Sequence, residues 1–228
     1  MRARPFTDLP VNLQTKAWSQ AIAGYSVATL GLIALLTING ASGFPGAIGI
    51  GTAVLVAIGL LLAAMGMLQL RRAINQDRKA ARYGFGMQAL GLVGLLVGVV
   101  PLAVSSSLSA VFVVGAILIV ISAALALTGT FLLRSHHADI GASDTRGVDY
   151  LILGTTLLFS GVTLILGSNV AKYFFLSEVG NNVFTDVGAA ISACGCVISA
   201  YSFIVLQRRR STKRSAPWLA SSALGSSK

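Results

Sequence analysis

The stretch "GLLVGVVPLAVSSSLSAVFVVGAILIVISAALALTG", Gly94 to Gly129, contains no charged residue, is interrupted once by Pro101, and carries glycine or serine at regular intervals. A run of about 20 apolar residues is long enough to cross about 30 Å of hydrocarbon as a helix. Five more such runs frame it, giving six expected spans at 18–38, 46–70, 84–104, 108–133, 149–168 and 183–206. In lipid, every backbone polar group must find its partner inside its own segment or a closed sheet. Long apolar runs of this kind therefore dictate helices. The expected fold is an all-α polytopic membrane protein with six transmembrane helices.

Charge follows the same plan. Of seventeen Lys and Arg in the 228 residues, sixteen fall before span one, between spans two and three, between four and five, or after span six. Only Lys172 is left for the opposite side, and this asymmetry predicts that both termini are cytoplasmic. The net charge of +10 is thus set by topology and gives no reason to expect nucleic-acid binding. No acidic or basic residue lies in the middle third of a span. Residues 1–17, with Pro5, Asp8 and Pro10, do not read as a cleavable leader. The chain divides into a cytoplasmic segment 1–17, a transmembrane domain 18–210 with hairpins 18–70, 84–133 and 149–206, and a Ser-rich tail 211–228 expected to be disordered.

Small residues recur every seven positions. Span two carries Thr52, Gly59 and Gly66, span four Gly115, Ser122 and Gly129, and span six Gly188, Gly195 and Ser202. Span one has Gly24 and Gly31, span three Gly84, Gly91 and Gly98, and span five Gly154, Gly161 and Ser168. Seven residues are nearly two helical turns, so each set shares one face. Offsets of 63 and 73 relate the even spans, 63 relates spans three and five, and 60 relates spans one and three. This is the signature of one helical hairpin in three tandem copies. Helices in lipid associate by packing and interhelical contacts, and small residues let their backbones approach. The glycines and serines are therefore expected to be helix-packing positions.

The unit "GLLVGVVP", a short loop and "VFVVGAILIVISAALALTGTFLLR" resembles the hairpin of the HdeD-like acid-resistance membrane proteins. Pro101, Gly115 and Ser122 match the family's proline near the outer end of the first helix and its small residues seven apart on the second. Pro45 falls inside the turn of the first hairpin, and the last hairpin has no proline. The resemblance implies six helices in three hairpins, a stress-response role in the bacterial inner membrane, and no catalytic residues.

Other candidates for chemistry are few. Cys194 and Cys196 point about 200° apart on a helix and cannot easily chelate a metal together. His136 and His137 are expected in a solvated cytoplasmic loop with Asp139 and Asp144, where a pH-sensing or metal role is open. Asp186 is expected near the start of the sixth helix as a capping group, with proton or polar binding as the alternative. Asp149 similarly begins the fifth. Gln88, the span serines and the "SSS" turn could hydrogen-bond between helices, while Trp18, Tyr83, Tyr150 and "KYFF" suit the membrane interface. No catalytic constellation, cofactor site or metal site is recognisable. The expectation is a non-enzymatic membrane protein with a structural or stress-response role. An accessory subunit of a larger complex and a small-solute transporter or channel stand as alternatives. Its expected partners are the lipid bilayer and a membrane protein or a second copy of itself.

Overall fold

The computed structural model describes the backbone of residues 11–40, 46–74, 78–104, 110–139, 145–174 and 178–223, and the side chains of 15–37, 51–74, 78–99, 113–137, 145–167 and 183–208. Six helices follow one another: α1 (Val11–Gly40), α2 (Gly46–Ala73), α3 (Lys79–Val104), α4 (Ala110–Asp139), α5 (Arg146–Phe174) and α6 (Glu178–Ala223). All six contain segments long and apolar enough to cross a membrane, from Thr15–Thr37 to Val183–Arg208. The chain is an integral, multi-pass membrane protein whose outer faces, including Leu30, Val120 and Leu153, are built for lipid. The α6 backbone runs on to Ala223, through most of the segment expected to lack structure.

The helices pack as three hairpins, α1 on α2, α3 on α4 and α5 on α6, joined into a ring by α2 on α3, α6 on α1 and a much sparser contact of α4 on α5. Small residues make the hairpin seams. A methyl group placed on Gly24 would run into the backbone of Ala63 and lie 2.6 Å from the carbonyl oxygen of Gly59, and one on Gly59 would lie 2.7 Å from that of Gly24. Gly84 and Gly129 are related in the same reciprocal way, as are Gly154 with Gly195 and Gly161 with Gly188. Gly91 faces the Ser122 carbonyl, Gly98 that of Gly115, and Gly66 that of Ala17. Such approach multiplies van der Waals contact where lipid offers no hydrophobic driving force.

These pairings correct the register of the first hairpin. Gly31 lies over Thr52 and Gly24 over Gly59, while Gly98 lies over Gly115 and Gly91 over Ser122. Gly24 therefore corresponds to Gly91, an offset of 67, not the 60 that equates Gly24 with Gly84. A slip of seven residues leaves a heptad pattern matching equally well, so only the packing partner distinguishes the two. In the corrected register the structural equivalents on α1, α3 and α5 are Trp18, Phe85 and Val148, then Tyr25, Leu92 and Thr155, and every one is buried. The side chains of Ser168 and Pro101 lie outside the described residues.

Candidate functional site

Large side chains from the hairpins meet on the bundle axis. Trp18 of α1 packs edge-on against Phe85 of α3 with ring centroids 6.2 Å apart, and against Phe203 of α6 at 5.6 Å. Tyr25 stacks on Phe203 at 6.0 Å. Trp18 is thus a core residue, not the interfacial aromatic its position in the sequence suggested, whereas Tyr83 and Tyr150 are exposed. The difference is one of facing: Trp18 shares the stripe of Ala21, Tyr25 and Ala28, which points into the bundle.

A polar layer crosses the same axis near the middle of the spans. Gln88 of α3 is fully buried and its Nε2 donates to Thr155 Oγ1 of α5 at 3.3 Å, joining two helices that do not otherwise pack. Gln88 Oε1 is buried without a hydrogen-bond partner, and Ser199 Oγ of α6 is buried beside the hydroxyl of Tyr25. Ser192 Oγ donates to the Leu158 carbonyl of α5 at 3.2 Å, so one α6 serine also bridges helices. Ser122 and Ser202 turn back instead to carbonyls of their own helices at 2.6 Å. The "SSS" turn lies outside the described residues. The layer is uncharged; it can orient a neutral hydrogen-bonding group, but among the described residues it contains no acid, base or activated nucleophile.

At the basic end, Thr145 begins α5: its carbonyl accepts the N–H groups of Val148 and Asp149, and its hydroxyl donates to Asp149 Oδ2 at 2.7 Å. Asp149 sits in the first turn, where a carboxylate suits the helix dipole. Arg134 Nε reaches its other oxygen at 3.0 Å, tying α4 to α5, though both side chains are about half exposed and the pair contributes little stability.

His136 and His137 do not lie in a loop. Nothing in "RSHHAD" breaks a helix, and α4 continues to Asp139; the first glycine after it is Gly141. His136 is 6% exposed, His137 Nδ1 lies 2.9 Å from the Leu133 carbonyl, and the two rings meet edge-on. Asp186 also moves. Since α6 starts at Glu178, Asp186 stands in the helix interior, half-buried near the outer end of the Val183–Arg208 segment, and cannot be an N-terminal cap. Cys194 is exposed and Cys196 buried, on opposed faces. No group of metal-ligating side chains occurs among the described residues. Asp144 and Phe175, and the side chains of Asp139, Lys172, Tyr173 and Phe174, lie outside them.

The sparse α4–α5 seam leaves a groove of about 470 Å³ that opens sideways, lined by Ala123, Leu127, Phe159 and Leu164 with the hydroxyl residues Thr156, Ser160 and Thr163. Thr156 and Thr163 donate their hydroxyls to backbone carbonyls one turn earlier at 2.8 Å, so the groove wall is mostly apolar. Comparison with protein families, curated proteins and solved structures finds no match to this chain.

Proposed function

We propose that this protein is a non-enzymatic, HdeD-like component of the bacterial inner membrane with a structural or stress-response role, its basic end and both termini in the cytoplasm. The observation that carries the reading is the axis of the bundle. Trp18, Tyr25, Phe85 and Phe203 fill it, and a neutral Gln88–Thr155 contact crosses it, where a transporter for ions would place charge or broken helices. Among the described residues the bundle neither opens a route nor presents a catalytic pair, and on this reading it acts through its contacts with lipid and protein. Survival of a deletion strain at low pH, with and without the wild-type gene restored, tests the stress role; equal survival of deletion and wild type removes it. Labelling of cysteines placed at Lys228 and Asn181 tests the orientation, and both reacting from one side would overturn it.

The α4–α5 groove favours a second reading, an accessory subunit. It is the seam of the ring where the helices touch most sparsely, and an apolar helix of a membrane partner fits such a wall. Gentle solubilisation with mass spectrometry of stoichiometric companions separates the two readings. A transporter remains the third: solute flux in vesicles that Asp186→Asn abolishes would replace both.

A further inference from the structure

The α2–α3 seam at the basic end carries a feature that helix packing does not use. Gly86 stands off the seven-residue stripe of Gly84, Gly91 and Gly98, two residues after Gly84 and hence about 200° around α3, facing α2 instead of α4. Into the space a side chain would occupy there comes Arg71 of α2: a methyl group on Gly86 would lie 3.1 Å from its Cδ, 3.2 Å from Nε and 3.3 Å from Nη1. Arg82 lies one turn before Gly86 on the same face of α3, and its Nε is shielded from solvent with no hydrogen-bond partner. Among the described residues neither arginine side chain has a hydrogen bond or an ion pair. Arg71, seated at Gly86, and Arg82, attached one turn or about 6 Å away along α3, bring two like charges from adjoining helices to one seam and leave donors unmet. One anion between them removes both costs.

We propose that Arg71 and Arg82 bind the phosphate of an anionic phospholipid at the α2–α3 seam. Guanidinium groups match phosphate oxygens with paired N–H donors at about 2.8 Å, so one phosphate can accept from arginines of two adjoining helices. The surroundings select a lipid as the source. Tyr83, next to Arg82, is exposed at the level where interfacial aromatics sit. Deeper on the same two faces stand Leu68, half-buried three residues before Arg71, and Leu90, exposed four residues after Gly86. The phosphate engages the arginines while the acyl chains lie along these leucines. Gly86 is the positioning residue, because its missing side chain leaves the space that the Arg71 stem occupies and a large side chain there would displace it.

The test is lipid binding to the purified full chain in detergent, read by native mass spectrometry and by melting temperature, with phosphatidylglycerol, phosphatidylcholine and inorganic phosphate as probes. Phosphatidylglycerol binds and stabilises; phosphatidylcholine and millimolar phosphate do not. Arg71→Gln and Arg82→Gln each weaken phosphatidylglycerol binding about tenfold, as expected for loss of a charge-assisted contact. Gly86→Leu weakens it as well, with the charge retained, while Arg72→Gln, an exposed neighbour of equal charge, changes it by less than about twofold. If Arg71→Gln does not fold, Arg71→Lys serves, keeping the charge but losing the fork and several-fold of the affinity. Asp77→Asn leaves the affinity unchanged. Equal losses in Arg72→Gln, equal binding of the two lipids, stabilisation by phosphate alone, wild-type affinity in Gly86→Leu, or a many-fold gain in Asp77→Asn overturns the proposal.

Discussion

Gly59→Ala adds one methyl group where Gly59 crosses Gly24 in the first hairpin, and the consequence can be worked from the contacts it makes. The new carbon would overlap the backbone nitrogen of Ala28, and would lie 2.7 Å from the Gly24 carbonyl oxygen and 2.8 Å from the Ala28 Cα. All three are backbone atoms of α1, so no rotamer change relieves the overlap and the helices must separate by about 1 Å to restore van der Waals distances near 3.5–4.0 Å. A gap of that size forfeits between a quarter and a half of each contact along the seam. Overpacking of this kind costs about 1–3 kcal/mol. At roughly 2–4 °C per kcal/mol for a chain of this length, the melting temperature falls by roughly 2–12 °C. Gly51→Ala is the internal control. A methyl group there meets nothing within 4 Å, so the substitution gains about 0.5–1 kcal/mol of helix propensity. Melting of both variants in one detergent, followed by size-exclusion chromatography after heating, measures the difference. If Gly59→Ala melts with the wild type or above Gly51→Ala, the seams are not closed by backbone approach and the packing argument fails.

Three further outcomes follow from the polar groups and the third hairpin. Gln88→Leu removes the unpartnered Oε1 together with Nε2 and leaves one buried group, the Thr155 hydroxyl, unpaired, so it costs less than Thr155→Val, which leaves both ends of the buried Gln88 amide unpaired and costs about 1–3 kcal/mol; the reverse order in a melting experiment would contradict the assignment of the layer. Arg134→Gln changes stability by no more than about 1 kcal/mol, because the pair with Asp149 is half exposed, and a larger loss would mean that the contact is shielded. Gly161→Ala destabilises as Gly59→Ala does, since the added methyl would overlap the Gly188 carbonyl oxygen and the Ser192 nitrogen and hydroxyl; a wild-type melt would show that the third hairpin is packed differently from the first.

The number of helices and the small-residue seams are readable from the sequence because both are imposed locally. Hydrocarbon thickness sets the span length, and a glycine every seventh residue in Gly91–Gly98 or Gly188–Gly195 serves close approach before anything else. What the sequence hides is direction. The spans are apolar nearly all round, so alternation of polar and apolar residues does not tell which face meets protein and which meets lipid. For that reason Trp18 reads as an interfacial anchor until Phe85 and Phe203 are seen around it, and the heptad slip of α1 goes unnoticed until Gly24 is found opposite Gly59. His136 and Asp186 are misplaced for a different cause: helix ends do not coincide with hydrophobic ends, and α4 and α6 carry helical backbone beyond their apolar runs. The pairing of Arg71 with Gly86 leaves one trace in the sequence, a glycine out of register, but assigning it a partner on α2 requires the fold.

Aqueous access to position 88 tests the central claim most directly. In a chain with Cys194 and Cys196 replaced by alanine, Gln88→Cys places one thiol on the bundle axis, and Leu90→Cys places another two residues away on a lipid-exposed position as a second reference. Reconstituted vesicles are treated from either side with a small, charged, membrane-impermeant thiol reagent, and Tyr83→Cys, at an exposed position, serves as the reactive control. A closed axis predicts that the Tyr83→Cys thiol is modified while those of Gln88→Cys and Leu90→Cys stay unmodified from both sides. Modification of the Gln88→Cys thiol but not the Leu90→Cys thiol, at a rate approaching that of the Tyr83→Cys control, would reveal a water-filled route through the bundle and contradict the reading of a packed, non-transporting membrane protein.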